Sequence, residues 1–190
     1  MSIELSRPNI GSIIMNINLK LVATIIILTL LSFNIPFISI SESPVSSPPP
    51  PTGTWWVNDN TRINDTNIEV NGNLTINSTG ILELINVTLI MNGNITVYGD
   101  FILKNVTIFM NCTKPGQYNI TNGTLGIYVE LGGLMHVLDY DNNPGTNDSS
   151  MITSSVQDGQ HCYTFWVKAG SRFKIENSVV SECGYGYFFV

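Results

Sequence analysis

Between residues 71 and 111 the hydrophobic and polar positions run through the same order twice. Asn71-Gly-Asn-Leu-Thr-Ile76 leads through Gly80 to Leu82-Glu-Leu-Ile-Asn-Val-Thr-Leu89, and Asn92-Gly-Asn-Ile-Thr-Val97 leads through Gly99 to Phe101-Ile-Leu-Lys-Asn-Val-Thr-Ile108. Apolar residues two apart lie on one face of a β-strand. The first-strand triplet Leu74-Thr-Ile76 recurs as Ile95-Thr-Val97, Ile127-Tyr-Val129, Phe165-Trp-Val167 and Phe188-Phe-Val190. A second strand follows the first four at Leu82/Leu84, Phe101/Leu103, Met135/Val137 and Phe173/Ile175, each behind a glycine turn. A third is marked by Val87/Leu89 and Val106/Ile108, more faintly by Ile152 and Val179. A unit this short cannot bury its own apolar face and must stack on its neighbours. The pattern predicts an all-β chain: a right-handed, single-stranded parallel β-helix, a solenoid with three strands per coil. Leu84, Leu103, Val137 and Ile175 should form one inward column.

Two repeats carry extra residues, at about 112–124 and 140–150. Such excess leaves a solenoid through a turn, where binding surfaces are built. The corner after the second strand holds Asn86, Asn105, Asp139 and Asn177, a set that can hydrogen-bond along the stacking axis at the ~4.8 Å strand spacing. The last triplet stops in mid-strand at Val190, whereas a solenoid ends in a polar cap. The reading is therefore of the N-terminal part of a longer protein.

The glycine-led second-strand segments, Gly80-Ile-Leu-Glu-Leu-Ile-Asn-Val-Thr-Leu89, Gly99-Asp-Phe-Ile-Leu-Lys-Asn-Val-Thr-Ile108 and Gly170-Ser-Arg-Phe-Lys-Ile-Glu-Asn-Ser-Val179, resemble the right-handed parallel β-helix repeat family, the pectin-lyase-like fold, and in particular the Asn-rich surface proteins of archaea. The resemblance spans about residues 60–190. It implies the β-helix fold, and leaves open polysaccharide lyases, glycoside hydrolases, adhesins and periplasmic copper-maturation proteins.

Ahead of the repeats, Arg7 and Lys20 precede Leu21-Val-Ala-Thr-Ile-Ile-Ile-Leu-Thr-Leu-Leu31, with apolar character continuing to Ile40. Residues 1–41 read as a signal peptide cut after the small residues near Ser41, or as an N-terminal membrane anchor. Either one places the remainder of the chain outside the cytoplasm. Residues 42–57 form a Pro/Ser-rich linker whose four consecutive prolines favour an extended spacer. The β-helix repeats then occupy 58–190. The chain's net charge is −6, with no cluster of Lys or Arg, which argues against nucleic acid as a partner. Contact with a membrane is expected only through the N-terminal segment, and cell-surface glycans or other surface proteins are the expected partners.

The candidate chemistry is sparse. Glu83, Lys104, His136 and Lys174 read as one outward second-strand column that could line a groove for a sugar or sulfate, or simply be solvated charges. Asp139-Tyr-Asp141-Asn-Asn143-Pro-Gly145, with Asp148, offers hard oxygens at alternate positions suited to Ca²⁺, though it lacks the EF-hand's final Glu, where Ser150 stands. No catalytic residues emerge within these residues. Cys162 and Cys183 lie about one repeat apart and are a candidate disulfide, offset by two positions in the triplet alignment. Ten Asn-X-Ser/Thr sequons occur, of which Asn119, Asn122 and Asn147 fall in the insertions and are the better glycosylation sites. The function these features point to is an extracytoplasmic cell-surface domain with a structural, adhesive or glycan-binding role. The alternative is the N-terminal part of a carbohydrate-active enzyme whose catalytic coils lie beyond Val190.

Overall fold

The structure is a computed structural model that describes residues 49–117 and 124–184. The expected export segment and the expected last triplet, Phe188–Val190, lie outside these residues. Among the described residues the chain is all-β, with no helix and with its strands paired in parallel. The strands are β1 (Trp55–Val57), β2 (Asn60–Val70), β3 (Leu74–Ile76), β4 (Ile81–Met91), β5 (Ile95–Val97), β6 (Asp100–Met110), β7 (Gly126–Val129), β8 (Leu134–Leu138), β9 (Met151–Ser154), β10 (Tyr163–Val167), β11 (Arg172–Glu176), β12 (Val179–Val180) and β13 (Cys183–Gly184).

They alternate between two stacks. One sheet has the order β1-β3-β5-β7-β10-β13. The other has β11-β8-β6-β4-β2, with β9 beside β6 and β12 beside β9. Sequence neighbours thus fall in different sheets, except β8 with β9 and β11 with β12, which share the second sheet, and each strand pairs with its counterpart one repeat away. This is a solenoid-like arrangement.

The second and third strands read from the sequence are continuous in β2, β4 and β6, each 11 residues long. What divides them is a single residue with positive φ, Asp65 (φ 53), Asn86 (φ 54) or Asn105 (φ 53). Asx residues tolerate this left-handed conformation better than other non-glycine residues. At this bend Asn86 Nδ2 donates to Asp65 Oδ1 (2.8 Å), and Asn105 Nδ2 to Asn86 Oδ1 (2.9 Å). The corner ladder is therefore real, but its members differ from those expected. Asp139 does not occupy it. The left-handed residue in that repeat is Asn142 (φ 60), whose Oδ1 accepts from Asn177 Nδ2 at 3.0 Å. The 140–150 insertion begins at this corner and displaces the ladder residue by three positions.

A second ladder runs through Asn71, Asn92 and Asn111, whose amides donate stepwise toward the N-terminus at 2.7 and 2.6 Å, and Ser155 Oγ adds a contact to Asn111 Oδ1 at 3.1 Å. Gly80 and Gly99 belong to a tight turn stack. A Cβ at Gly80 would collide with the carbonyl of Val57, and one at Gly99 with that of Gly80.

The inward column is as read: Leu84 pairs with Leu103, Leu103 with Val137 and Val137 with Ile175. The first three are fully buried, whereas Ile175 is 43% exposed in the last described repeat. The boundary at residue 58 needs correction. Trp55–Val57 pairs with Leu74–Ile76, and Trp55 and Val57 enter the core, so the repeats begin inside the expected linker. The first full repeat, β1 with β2, is hard to see in the sequence because Arg62, Asn64, Asp65 and Glu69 mask its alternation.

The cysteines also differ from expectation. Cys112, Cys162 and Cys183 are free thiols. Cys183 lies opposite Tyr163, so it is offset from Cys162 by one position, and neighbouring strand residues point to opposite faces. The expected bridge is not formed.

Candidate functional site

The turn between β8 and β9 gathers Asp139, Asp141 and Asp148, with one carboxylate oxygen from each lying within 4.8 Å of the others. The fold places them. Asp139 follows directly on β8 and is only 4% exposed, while Ser150, fully buried, closes the excursion: its hydroxyl donates to Leu138 O at 2.5 Å and accepts from Val106 N at 3.1 Å. Ser150 thus fills a seam between strands, which is why no ligand carboxylate stands there.

Within the turn, Asn143 N donates to Asp139 Oδ1 (3.1 Å) and to Asp141 Oδ1 (2.9 Å), and Thr146 Oγ1 lies 3.0 Å from Asp141 Oδ1 and 2.8 Å from Asp148 Oδ1. The Asn143 amide N–H is the main cause that holds Asp141 below the usual carboxylate range. Three hard oxygen donors at this separation could hold a metal ion. Asn143, expected among the ligands, instead turns its Oδ1 to Gly145 N at 3.1 Å and closes the turn.

The charged column requires a correction. Across the sheet the outward positions are Arg62, Glu83, Ile102, His136 and Lys174. Lys104 stands two residues further along β6, opposite Ile85 and Leu138. It reaches Glu83 diagonally, Nζ to Oε1 at 2.8 Å, while Arg62 Nε approaches Glu83 from the other side at 3.5 Å. Ile102 separates this triad from His136 and Lys174. Lys174 pairs with Glu176 at 2.6 Å, and His136 has its pKa lowered by desolvation and then by the Lys174 charge. The four residues do not form one stack, because the 19-residue step from β4 to β6 aligns Glu83 with Ile102.

A different surface stands out only in three dimensions. In the described first strands the register aligns the middle residues Trp56, Thr75, Thr96, Tyr128 and Trp166 on the side away from the core, with Thr75 only 8% exposed. Trp56 is 56% exposed and Trp166 38%. The Tyr128 ring leans back over Gly126, where a Cβ would meet its Cζ and hydroxyl. Beside these rings, Lys168 Nζ pairs with Glu130 Oε2 at 2.6 Å and lies 5.1 Å from the centroid of the Trp166 ring. The sequence signal for this surface is in the triplets Ile127-Tyr-Val129 and Phe165-Trp-Val167, whose centres are aromatic where two of the earlier copies have Thr. Trp56 is hidden there by its place in the expected linker.

The remaining expectations are unevenly placed. Asn147 is exposed in the acidic turn, whereas Asn119 and Asn122 lie outside the described residues. Among the described residues no helix is long and apolar enough to cross a membrane. In the loop before β10, Asp158 is held down to about 2 by the backbone N–H groups of His161 and Gln160 and by the His161 ring at 2.8 Å. No family model, no curated protein and no solved structure matches this chain.

Proposed function

We propose that this chain is an extracytoplasmic cell-surface domain that binds glycans along the outer face of its short-stranded sheet. The reading includes a right-handed parallel β-helix of the pectin-lyase-like kind, since parallel strands joined through a crossover adopt the right-handed connection almost without exception. The apolar segment before residue 41 and the proline-rich spacer support an exported domain held off a surface.

The observation that carries the binding function is the column from Trp56 to Trp166. Aromatic rings offer flat apolar faces to the C–H faces of sugars, and neighbouring polar groups hydrogen-bond the hydroxyls at the ring edge. Tyr128 and Trp166 occupy adjacent strands with the Glu130–Lys168 pair alongside, and Thr96 and Thr75 continue the column toward Trp56. Four strand spacings of ~4.8 Å separate Trp56 from Trp166, a span of ~19 Å that favours an extended chain over a single sugar. The neutralised Glu130–Lys168 pair favours an uncharged polysaccharide.

The test is binding to a panel of neutral and acidic polysaccharides, read by co-sedimentation and by tryptophan fluorescence. Trp166→Ala and Tyr128→Ala are expected to weaken binding at least tenfold, while Thr107→Ala on the other sheet leaves it unchanged. Failure of the parent to bind any member, or equal binding by all variants, would reject the reading. The acidic turn adds a cation-binding role, with Ca²⁺ the ion that its all-oxygen donors favour.

A further inference from the structure

One exposed ring on the short-stranded side stands outside the column from Trp56 to Trp166. Tyr98 directly follows β5 and is 43% exposed. Its place is set by the backbone. Asn77 N donates to Val57 O at 2.9 Å, Tyr98 N to Ile76 O at 2.8 Å, Glu130 N to Val97 O at 2.9 Å and Lys168 N to Val129 O at 2.9 Å. Asn77, Tyr98, Glu130 and Lys168 therefore stack as a second column, two residues along the chain from Thr75, Thr96, Tyr128 and Trp166. Residues two apart lie on one side of a strand, so Tyr98 stands beside Thr96 on the outer face.

Turn length frames the ring. Only Tyr98 and Gly99 join β5 to β6, whereas four residues, 77–80 and 130–133, make the turns directly below and above. Ser78, Thr79 and Gly132 are exposed on these longer turns, and Leu131 is 74% exposed. A Cβ at Gly99 would strike the carbonyls of Asn77 and Gly80, so the short turn is pressed onto the one beneath it. Above Tyr98 in its own column, the Glu130 carboxylate holds Lys168 Nζ at 2.6 Å, and that ammonium lies 5.1 Å from the Trp166 ring centroid. A single exposed tyrosine would carry nothing. Here three consecutive repeats each present one ring on the same side: Trp166, Tyr128 and Tyr98. From Tyr128, Tyr98 is one strand spacing and two residues away, a backbone offset of ~8 Å, while Trp56 is three spacings away, ~14 Å.

Given that this face binds glycans, we infer that Tyr98 is a further sugar-stacking residue, and that Trp166, Tyr128 and Tyr98 form the core of the site, which takes an uncharged oligosaccharide of about three sugar units. Each ring covers the C–H face of one unit. Along the edge, the Glu130 carboxylate accepts from sugar hydroxyls and the Lys168 ammonium donates to them. The pair neutralises itself, so an acidic sugar gains no free counter-charge. Trp56 lies outside this core and adds contacts only to longer chains.

The experiment titrates the full chain with neutral gluco-, manno- and galacto-oligosaccharides of increasing length by isothermal calorimetry. A second measurement follows the Tyr98 signal by fluorine NMR in protein made with 3-fluorotyrosine, assigned by its loss in Tyr98→Phe. Tyr98→Ala is expected to weaken binding of a trisaccharide about tenfold with the melting temperature unchanged, and Tyr98→Phe, which keeps the ring, by less than about twofold. Trp56→Ala should leave the trisaccharide affinity as in the parent, and the Tyr98 fluorine signal should shift on saturation. Tyr98→Ala binding like the parent, an unmoved fluorine signal at saturation, or Trp56→Ala costing as much as Tyr98→Ala on the trisaccharide would each overturn the inference. If Tyr98→Ala fails to fold, the fluorine signal of the parent decides. Weakened binding in Trp166→Ala and Tyr128→Ala with none in Tyr98→Ala sinks the role of Tyr98 alone. A parent that binds no oligosaccharide or polysaccharide sinks the glycan reading and this one with it.

Discussion

The lower part of this domain, β1 to β6, and the upper part, β7 to β12, are built on the same plan to different ends. Below, the steps are 21 and 19 residues, the long strands run 11 residues each, and inward side chains of β4 and β6 are fully or almost fully buried. Above, steps lengthen to 34 and 38 residues, the long strands divide into β8 with β9 and β11 with β12, and the inward Ile175 is 43% exposed. In β12 the inward residue is Val180, opposite Ile152, rather than the expected Val179. The lower part maximises what stacking gives: continuous pairing, two amide ladders and a closed core. Its short-strand face in β3 and β5 carries only Thr75 and Thr96. Apart from Trp56 of β1 at the lower end of the aromatic column and Tyr98 in the shortened β5–β6 turn, the groups with a candidate binding role, the acidic turn and the Tyr128–Trp166 patch, belong to the interrupted repeats. Regular repetition builds a platform, and departures from it supply the chemistry.

The largest expected effect tests the contrast in burial. Leu103→Asp places a carboxylate without a partner in the closed column, which costs several kcal/mol against a typical total of ~5–15 kcal/mol. Ile175→Asp, in the same column but partly exposed, should cost about 1 kcal/mol. Thermal melts and far-UV spectra of the two variants compare them directly. Equal losses would show that the upper repeats are as tightly built as the lower ones.

A smaller effect sharpens the role of the corner ladder. Asn105→Ala loses a hydrogen bond and leaves a Cβ residue at φ 53 without a local polar contact, for a combined ~1–3 kcal/mol. Asn105→Gly relieves the backbone and should recover part of that loss. Asn142→Gly, in the upper part, should cost less than Asn105→Gly. Urea midpoints measure all three. If alanine and glycine at residue 105 were equally harmful, the bend would not be what the asparagine supplies.

The smallest effect distinguishes the acidic turn from the platform beneath it. Millimolar Ca²⁺ is expected to raise the melting temperature of the parent by a few degrees and leave Asp141→Asn/Asp148→Asn unmoved, because binding to the folded state alone adds stability. Without Ca²⁺ the double variant should be slightly less stable than the parent at neutral pH, since the Asn143 N–H favours Asp141 as the carboxylate in the folded turn. Isothermal calorimetry checks the first outcome and differential scanning fluorimetry the second. A parent that ignores Ca²⁺ would make the turn purely structural.

Much of this was legible in the residues and part of it was not. The alternation of apolar residues, the turn glycines and the 21- and 19-residue steps determined by themselves that the chain is all-β, that its strands pair in parallel with copies of themselves, and that Leu84, Leu103 and Val137 share a column. Period-two alternation and repeat length are local properties, and stacking identical units admits little choice of register. Lateral neighbours across strands were decided only in three dimensions. An insertion moved the ladder from Asp139 to Asn142, whereas Ile102 opposite Glu83 follows from the 19-residue step itself. It also took the tertiary pairing of Trp55–Val57 with Leu74–Ile76 to draw Trp56 into line with Trp166. Which side chains meet across a sheet depends on where each insertion leaves and rejoins the stack, and that is settled by packing and backbone hydrogen bonds far apart in the chain.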